Sequence, residues 1–248
     1  MRLRQIAFAA HDLDTVVDDL CAVLDLREPY HDPGVAVFGL RNAVLPLGDT
    51  FLEVVSPREA DTAAGRYLAR RGGDCGYMVM VQVDDTPAAR QRAAGLGLRV
   101  VWHADLDDIR GTHFHPRDLG GPLLSVDTPT PSSAWRWAGP TWQDAATSAV
   151  RREITAVDMA CADPTATAAR WAMLLDRPTV ARNGAIEIDL RRGTLRFLGG
   201  APSGGDGLVA IDVAGVDAAR ALGAAQQRGL ATSGDAVTIC GTTIRLRS

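Results

Sequence analysis

Short stretches of alternating apolar and polar residues recur along this chain, and the clearest of them lead into helical patterns. QIAFAAHDLDTVVDDLCAVLDL, which begins at Gln5, predicts a strand, an Asp at a helix start and then a helix. Shifted by 151 residues without a gap, this segment lies over AVDMACADPTATAARWAMLLDR, so that Asp12 falls on Asp163 and Asp25 on Asp176. A proline follows Asp163, which is the order favoured where a helix begins. The pattern therefore indicates an internal repeat.

A second pair of segments extends the repeat. MVQVDDTPAARQRAAGLGL, near Met80, resembles AIDVAGVDAARALGAAQQRGL, near Ala210, in its strand, its AAR triplet and its Gly-Leu exit. The helices are followed by short alternating stretches that predict strands joined by hairpin turns, among them VAVFGL, AVLPLG, TFLEVV, AIEIDL and TLRFL. The sequence thus predicts an α+β fold of four β-α-β-β-β units, which start near residues 3, 77, 154 and 207.

A Pro/Ser-rich connector separates the second unit from the third. DTPTPSSAWRWAGPTWQDAATSAVRR contains Trp135, Trp137 and Trp142, three of the five tryptophans in the chain. A purely flexible linker has little use for so many large apolar side chains. We therefore expect the connector to pack over the domain junction or over the mouth of a cavity. The predicted domains are residues 1–128 and 153–248, with the connector at 129–152.

The composition of the 248 residues is typical of a globular protein, with 46% apolar and 23% charged residues. A net charge of −4 argues against nucleic-acid binding, and no apolar run approaches the roughly 18 residues of a membrane span. Because the N-terminus lacks the pattern of a signal peptide, we expect a cytoplasmic protein with free thiols. The sequence contains no lysine, which excludes a lysine Schiff base and points to a GC-rich, bacterial genome.

Four such units in two pairs resemble the vicinal oxygen chelate superfamily, which includes glyoxalase I, extradiol dioxygenases, methylmalonyl-CoA epimerase and the bleomycin- and fosfomycin-resistance proteins. The segments GLRNAVLPLGDTFLEVVSP, from Gly39 to Pro57, and HPRDLGGPLLSVD look like family strands. The resemblance implies two glyoxalase-like domains, each a half-open cup. In the family, a His or Gln on a first strand and a Glu on a last strand commonly hold a divalent metal, which binds two neighbouring substrate oxygens. Cup proteins of this kind often pair, which makes a homodimer an open expectation.

In the first unit, the resemblance assigns the two ligand positions to Gln5 and Glu53. Alternation turns Ile6 and Phe8 toward the helices, which leaves Gln5 facing the cup. Glu53 is a carboxylate inside the apolar run TFLEVVSP, where an unpaired charge is expensive. We therefore expect Glu53 to have a metal ion, an arginine partner or a raised pKa.

The second unit departs from the family pattern. The position that answers the first ligand is Tyr77, and Ser125 stands where a glutamate is expected; neither is a usual ligand of a divalent metal. His113 and His115, two residues apart, would share one face of a strand and with Glu53 could form a set of two histidines and one carboxylate. The simpler alternative is that both histidines are exposed or hydrogen-bonded at a strand edge.

The second pair of units retains no metal-ligand set. Ala156 replaces the first ligand, Arg196 or Phe197 stands where the first unit has its glutamate, and Arg245 occupies the other last-strand position. We expect residues 154–248 to serve packing, pairing or enclosure of a substrate. If Arg196 and Arg245 face a cavity, they are candidates for binding a carboxylate or a phosphate.

Two functions of the N-terminal cup are compatible with these residues. The first is an enzyme of lyase, isomerase or dioxygenase type that acts on a small oxygen-rich metabolite. Glu53 would then be a metal ligand or general base, Gln5 a second ligand, and Tyr77 a hydrogen-bond donor or acid. The cofactor would be one divalent ion of Fe, Mn, Ni, Zn or Co, or none at all.

The second function is metal-independent binding of a small molecule or drug in an apolar pocket, as in the resistance proteins of the family. A module that binds a partner protein is a third alternative. For the first two functions, the candidate contacts of the small molecule are Asn42, Arg66 and Ser125.

Overall fold

The computed structural model describes residues 1–146, 152–201 and 204–247, which form two mixed sheets. The strands of the first sheet are β1 (Arg2–Ala9), β2 (Leu40–Leu47), β3 (Thr50–Pro57), β4 (Cys75–Gln82), β5 (Val100–Asp105), β6 (Ile109–Phe114) and β7 (Leu123–Pro129). Those of the second sheet are β8 (Glu153–Cys161), β9 (Val180–Arg182), β10 (Ala185–Asp189), β11 (Thr194–Gly199), β12 (Gly207–Ala214), β13 (Thr232–Ser233), β14 (Ala236–Ile239) and β15 (Thr242–Arg247).

Helices connect the strands of each unit and also form part of the connector. They are α1 (Leu13–Leu24), α2 (Ala63–Arg71), α3 (Thr86–Gly95), α4 (Pro116–Leu119), α5 (Trp142–Ala146), α6 (Pro164–Leu175) and α7 (Ala218–Gln227). Short 3-10 helices span Pro33–Phe38 and Arg136–Ala138. None of the helices in the described ranges is long and apolar enough to cross a membrane.

The two sheets share one topology, as the sequence repeat predicts. The strand order is β2-β3-β1-β4-β7-β6-β5 in the first sheet and β13-β14-β15-β12-β8-β11-β10-β9 in the second. In the first sheet, β1 and β4 pair antiparallel at the centre, and each also pairs with the last strand of its own unit in parallel. The second sheet repeats this arrangement with β8 and β12 at its centre. The α+β fold of two glyoxalase-like domains is thus confirmed.

The first unit differs from the other three after its helix. The stretch VAVFGL, expected to be a strand, instead belongs mainly to the 3-10 helix Pro33–Phe38, and an isolated bridge between Tyr30 and Val44 stands in for the missing strand. The prediction was wrong because the ends of this stretch favour a turn. Asp32 accepts a hydrogen bond from the Gly34 N–H, a proline occupies the first helical position, and a glycine with φ of +68° ends the helix.

Helix caps explain most of the repeat signal. Asp12 and Asp163 are the N-caps of α1 and α6, and each accepts hydrogen bonds from backbone N–H groups of the first turn. Asp25 and Asp176 end the same two helices in the left-handed conformation, with φ of 54° and 53°. In the second unit the N-cap is Asp85, so the spacing of seven residues that separates Gln5 from the N-cap Asp12 leads to Met78 and not to Tyr77.

The two sheets share a single apolar core on their helix-covered sides. Ile6 and Phe8 of β1 belong to the same cluster of buried side chains as Val157 and Met159 of β8 and Trp171 of α6. The helices pair across the domains, α1 with α7 and α3 with α6. The opposite side of the first sheet, which we call the cup face, therefore points away from the second domain.

The domains approach each other closely at Gly241. Its φ is +60°, and a Cβ atom at this position would lie 2.1 Å from the main-chain oxygen of Asp74 in the first domain. A glycine is therefore required both by the backbone conformation and by the contact. Beside it, the Cys240 thiol donates to the main-chain oxygen of Ala9 at 3.3 Å.

Candidate small-molecule site on the cup face

Alternation along the central strands places the candidate residues on the cup face. Gln5 lies opposite Phe51 of β3 on one side and Met80 of β4 on the other, and Met80 in turn lies opposite Ser125 of β7. Ser125 is paired with His113 of β6. The expectation that Gln5 faces away from the helices is confirmed, because its neighbours Ile6 and Phe8 are the ones that enter the helix-covered core.

Glu53 lies between two apolar covers on this face. Toward one end of β3, Phe51 packs under residues of the connector; toward the other, Val55 packs with α2. Tyr77 of β4 contacts both clusters and therefore lies at the same gap between the covers. We call this part of the cup face, between the two covers, the gap.

Two side-chain amides hold the Glu53 carboxyl. The Gln5 amide donates to Oε2 over 2.8 Å and the Asn42 amide donates to Oε1 over 2.7 Å. The far end of each amide is fixed by another donor. The Trp135 indole N–H donates to Gln5 Oε1 over 2.6 Å, and the Asp32 backbone N–H donates to Asn42 Oδ1 over 2.9 Å. Because an indole N–H and a backbone N–H only donate, both amides must present their own N–H groups to Glu53.

The Glu53 carboxyl is buried without a cation. Its residue is 7% exposed, and no arginine or histidine among the described residues forms an ion pair with it. Burial raises the pKa of Glu53 because it disfavours the charged form; the hydrogen bonds from Asn42 and Gln5 act in the opposite direction without cancelling the effect. Of the environments expected for Glu53, an arginine partner is absent among the described residues, and burial raises the pKa.

A divalent metal does not fit the residues around the Glu53 carboxyl. Both Glu53 oxygens and the Gln5 carbonyl oxygen already accept N–H groups, so the side-chain oxygens that would bind a cation face positive hydrogens. Because the N-cap of α3 is Asp85, the residue that answers Gln5 in the second unit is Met78, a neighbour of Tyr77. Neither Met78 nor Tyr77 is a usual ligand of a hard divalent ion.

His113 and His115 do not complete a metal set. Within the described ranges, no three His, Cys, Asp or Glu side chains lie close enough together to hold a metal ion. The expected set of two histidines and Glu53 is wrong because β6 ends at Phe114, so the histidines do not share a strand face. His115 instead caps α4, where its ring accepts from the Arg117 backbone N–H.

His113 belongs to an aromatic cluster beside the cup face. Its ring lies 4.4 Å from that of Trp102 and 6.2 Å from that of Phe38, measured between centroids, and Trp102 also contacts Trp137 at 6.0 Å. Burial lowers the pKa of His113 to about 3. The imidazole is therefore neutral at physiological pH and contributes an aromatic ring rather than a cation.

Tyr77 is held as a neutral phenol beside Glu53. The pKa of Tyr77 is raised to about 12, mainly by burial and also by the nearby Tyr67 and Glu53, whereas Arg66 acts in the opposite direction. The Tyr67 ring lies 5.2 Å from that of Tyr77. At physiological pH, Tyr77 can therefore donate a proton in a hydrogen bond but does not carry a charge.

The three candidate ligand contacts lie in different surroundings. Asn42 is buried and bonded to Glu53. Arg66 is exposed on α2 and pairs with Asp61 over 2.8 Å. Ser125 is fully covered and donates to the main-chain oxygen of Thr112. Asn42 thus bonds to Glu53 directly, Arg66 lies near Tyr77, and Ser125 is buried between its strand partners Met80 and His113.

The connector covers one end of the cup face. Trp135 stacks on Phe51 at 6.2 Å between centroids, and Trp142 meets the same ring edge-on at 5.1 Å. The fully buried Arg4 guanidinium lies 5.2 Å from the Trp135 ring and pairs with Asp49 over 2.7 Å. Since truncation of a buried aromatic side chain typically costs about 3–5 kcal/mol, these contacts fix the connector in place. Sequence reasoning expected the packing from the number of tryptophans but missed the hydrogen bond to Gln5.

Asp127 is a second buried carboxyl that sequence reasoning missed. It is fully covered, its Oδ1 accepts the Trp137 indole N–H at 3.0 Å, and its Oδ2 has no hydrogen-bond partner among the described residues. Burial raises the pKa of Asp127 to about 7. Asp127 and Trp137 are ten residues apart in sequence, so neither strand nor helix periodicity predicts their contact.

The corresponding face of the second sheet is a charge-paired cluster. Asp158 accepts from Arg196 over 2.5 Å and is also paired with Arg245, which in turn contacts Asp212 over 2.6 Å. Phe197 enters the core, which decides the register in favour of Arg196 at the position that answers Glu53. The arginines expected to be candidates for binding an anion are thus engaged by carboxylates of their own domain.

Comparisons with known proteins agree with the fold. A family model described as a glyoxalase-like domain matches residues 6–175. A hypothetical protein from Staphylococcus aureus has a TM-score of 0.68 at 13% identity, with 99% of this chain and 98% of that chain covered. A mutant of 4-hydroxymandelate synthase from Streptomyces coelicolor has a TM-score of 0.67 at 14% identity, with 93% and 75% covered.

A variant of Streptomyces coelicolor methylmalonyl-CoA epimerase, in complex with 2-nitronate-propionyl-CoA, is 25% identical over 52% of this chain and 97% of that chain, with a TM-score of 0.47. No curated protein matches the chain. The two similarities that extend over nearly the whole chain support the same two-domain fold.

Proposed function

This chain belongs to the glyoxalase-like domain family, and from that premise we propose that its cup face transfers protons on a small oxygen-rich metabolite, with Glu53 as the base and without a divalent metal. The observation that carries the proposal is the Glu53 carboxyl, which is buried, held by two amides and not paired with any described cation. A carboxyl kept in this state costs stability, and such groups are concentrated at functional sites.

The raised pKa suits a general base. A carboxylate that is poorly solvated gains more from taking up a proton than an exposed one, because protonation removes the buried charge. Glu53 would accept a proton from a carbon next to a carbonyl group and return it to the same or a neighbouring atom. This is chemistry of the isomerase or lyase type.

Tyr77 and the two amides would supply the rest of the site. As a neutral phenol beside Glu53, Tyr77 would donate a hydrogen bond to the oxygen that gains charge as the proton leaves carbon. Gln5 and Asn42 would hold the carboxyl in one orientation through their N–H groups. Tyr77 lies at the gap between the two covers, and both amides are bonded to Glu53, which lies at the same gap.

A second candidate function is metal-independent binding of an aromatic molecule. The observation that favours it is the cluster of Phe38, Trp102, His113 and Trp137, whose rings come from four separate segments and are only partly covered. Stacked and edge-on contacts with such rings bind flat apolar ligands. In this case Glu53 would be a structural group and the bound molecule would be released unchanged.

Proton exchange in deuterated water distinguishes the two functions. Small metabolites with a proton next to a carbonyl, including 2-oxo acids, hydroxyketones and malonyl-type thioesters, are incubated with the protein in the presence of EDTA, and loss of that proton is followed by NMR. We expect exchange with at least one class, and a loss of about 10²–10⁴-fold in Glu53→Gln.

The matched control is Glu187→Gln, which alters a similarly buried glutamate of the second domain that is paired with Arg182. It should exchange like the unaltered protein. Exchange that survives in Glu53→Gln, or that requires an added metal, would contradict the proposal. A molecule that binds equally well to both variants and never exchanges would favour the second function.

A further inference from the structure

Trp135 lies outside the four repeated units, yet it reaches the centre of the candidate site. It is 1% exposed, and its indole N–H donates to Gln5 Oε1 over 2.6 Å, across 130 positions of sequence. The ring stacks on Phe51, and the Arg4 guanidinium lies 5.2 Å from its centroid. The indole therefore has little freedom to turn away from Gln5.

The two ends of the Gln5 amide have opposite chemistry. Turned one way, the amide presents an N–H to Glu53, as it does here; turned the other way, it would present an oxygen. Two neighbouring side-chain oxygens, one of them anionic, are what a hard divalent cation needs as a starting set of ligands. The orientation of the Gln5 amide therefore decides whether the site favours a hydrogen-bonded Glu53 carboxyl or a bound cation.

The structure shows what sets this orientation. The Asn42 amide is fixed by a backbone N–H, that of Asp32, which any residue except proline would supply. The Gln5 amide is fixed by a side chain, that of Trp135. Two amides hold Glu53, and only the orientation of Gln5 depends on a side chain of the connector.

We propose that Trp135 is a positioning residue that selects the chemistry of the Glu53 site: by occupying the Gln5 carbonyl oxygen, it keeps the Gln5 N–H on Glu53 and keeps divalent cations out. The inference rests on the proposed function only in taking Glu53 as the centre of the site. It gives the connector a task beyond covering the cup face, and it explains why a Gln at a family ligand position does not act as a ligand here.

The test compares Trp135→Phe with Trp137→Phe in protein stripped of metal. Both variants lose an indole N–H that the connector donates to the cup face, but only the first loses the bond to Gln5, since Trp137 donates to Asp127. Binding of Mn²⁺ is measured from the loss of the free-ion signal in electron paramagnetic resonance. We expect Trp135→Phe to bind Mn²⁺ about tenfold more tightly or better than the unaltered protein, in line with the size of other effects on metal ligands through their neighbours.

Two further results are expected. Trp137→Phe should bind Mn²⁺ no better than the unaltered protein, and the gain in Trp135→Phe should vanish when Glu53→Gln is added. An equal gain in both tryptophan variants, a gain that survives Glu53→Gln, or no gain in a Trp135→Phe protein with an unaltered circular dichroism spectrum would overturn it.

If Trp135→Phe does not fold, Trp135 is replaced by 3-benzothienylalanine, which keeps the shape of the indole and puts sulfur in place of the N–H. The expectations are the same. No substrate enters the measurement, so its failure is separate from failure of the proposed function. A Mn²⁺ gain without any proton exchange in the unaltered protein would uphold the role of Trp135 and reject the base role of Glu53.

Discussion

Asp127→Asn should change the way in which stability depends on pH. Burial raises the pKa of Asp127 from 3.8 to about 7 in the folded protein, so the folded state holds this proton over a range in which the unfolded chain has lost it. Because the folded state binds more protons in that range, the free energy of unfolding falls as the pH rises from about 4 to about 7. Above that range the Asp127 contribution is constant.

The magnitude follows from the two pKa values. A rise from 3.8 to about 7 corresponds to about 4 kcal/mol between the protonated and the ionised carboxyl. In Asp127→Asn this contribution disappears, while the amide oxygen still accepts from Trp137. The new amide N–H groups lack partners at the position of Oδ2, which costs about 1–3 kcal/mol at every pH. The variant should therefore match or fall below the unaltered protein at pH 4.5 and exceed it at pH 8.

Urea unfolding followed by tryptophan fluorescence between pH 4.5 and 8.5 measures this difference. Asp158→Asn is the control, because Asp158 is equally buried but accepts from Arg196 and is paired with Arg245. Loss of that charge should destabilise the protein across this range. If the curves for Asp127→Asn and the unaltered protein run parallel, the Asp127 carboxyl is not the buried, uncompensated group described above.

Other substitutions test the domain contact, the thiols and the site. Gly241→Ala should lower the free energy of unfolding by more than about 1 kcal/mol, and by more than Gly229→Ala, which has a similar φ and open space around it; equal losses would exclude the contact with Asp74. A thiol reagent should modify Cys21 first in the native protein, because the other three thiols are buried; simultaneous modification would contradict this. Tyr77→Phe should slow proton exchange by about 10²-fold with little change in KM, and a change in KM alone would make Tyr77 a binding group.

The fold was predictable because its signals are local and occur twice. Asp12 and Asp163 cap equivalent helices, and Asp25 and Asp176 end them, so a gapless shift of the sequence brings the two domains into register. The stretch VAVFGL was wrongly predicted to be a strand because its alternation was considered without the preceding Asp-Pro, which starts a helix. Periodicity gave the right element wherever turn residues agreed with it.

The site was predictable only in part, because its decisive contacts are distant in sequence. The apolar surroundings of Glu53 and the orientation of Gln5 follow from their strands. The partner that fixes Gln5 does not, since Trp135 lies in a separate segment and reaches Gln5 only through the tertiary fold. The set of His113 and His115 was not excluded by their spacing, because His115 caps α4 after β6 has ended at Phe114 and so leaves the strand.

The measurement that most directly tests the central claim is a titration of the glutamate carboxyls by NMR. The chain has five glutamates, so protein labelled with ¹³C at the glutamate carboxyl carbon gives few resonances, and the Glu53→Gln variant identifies the one from Glu53. In EDTA, that resonance should titrate above the ordinary glutamate value of 4.5 and should not move when Mg²⁺ or Zn²⁺ is supplied in place of EDTA. A Glu53 resonance that titrates at or below the ordinary value, or that shifts on addition of either ion, would contradict a metal-independent base at this position.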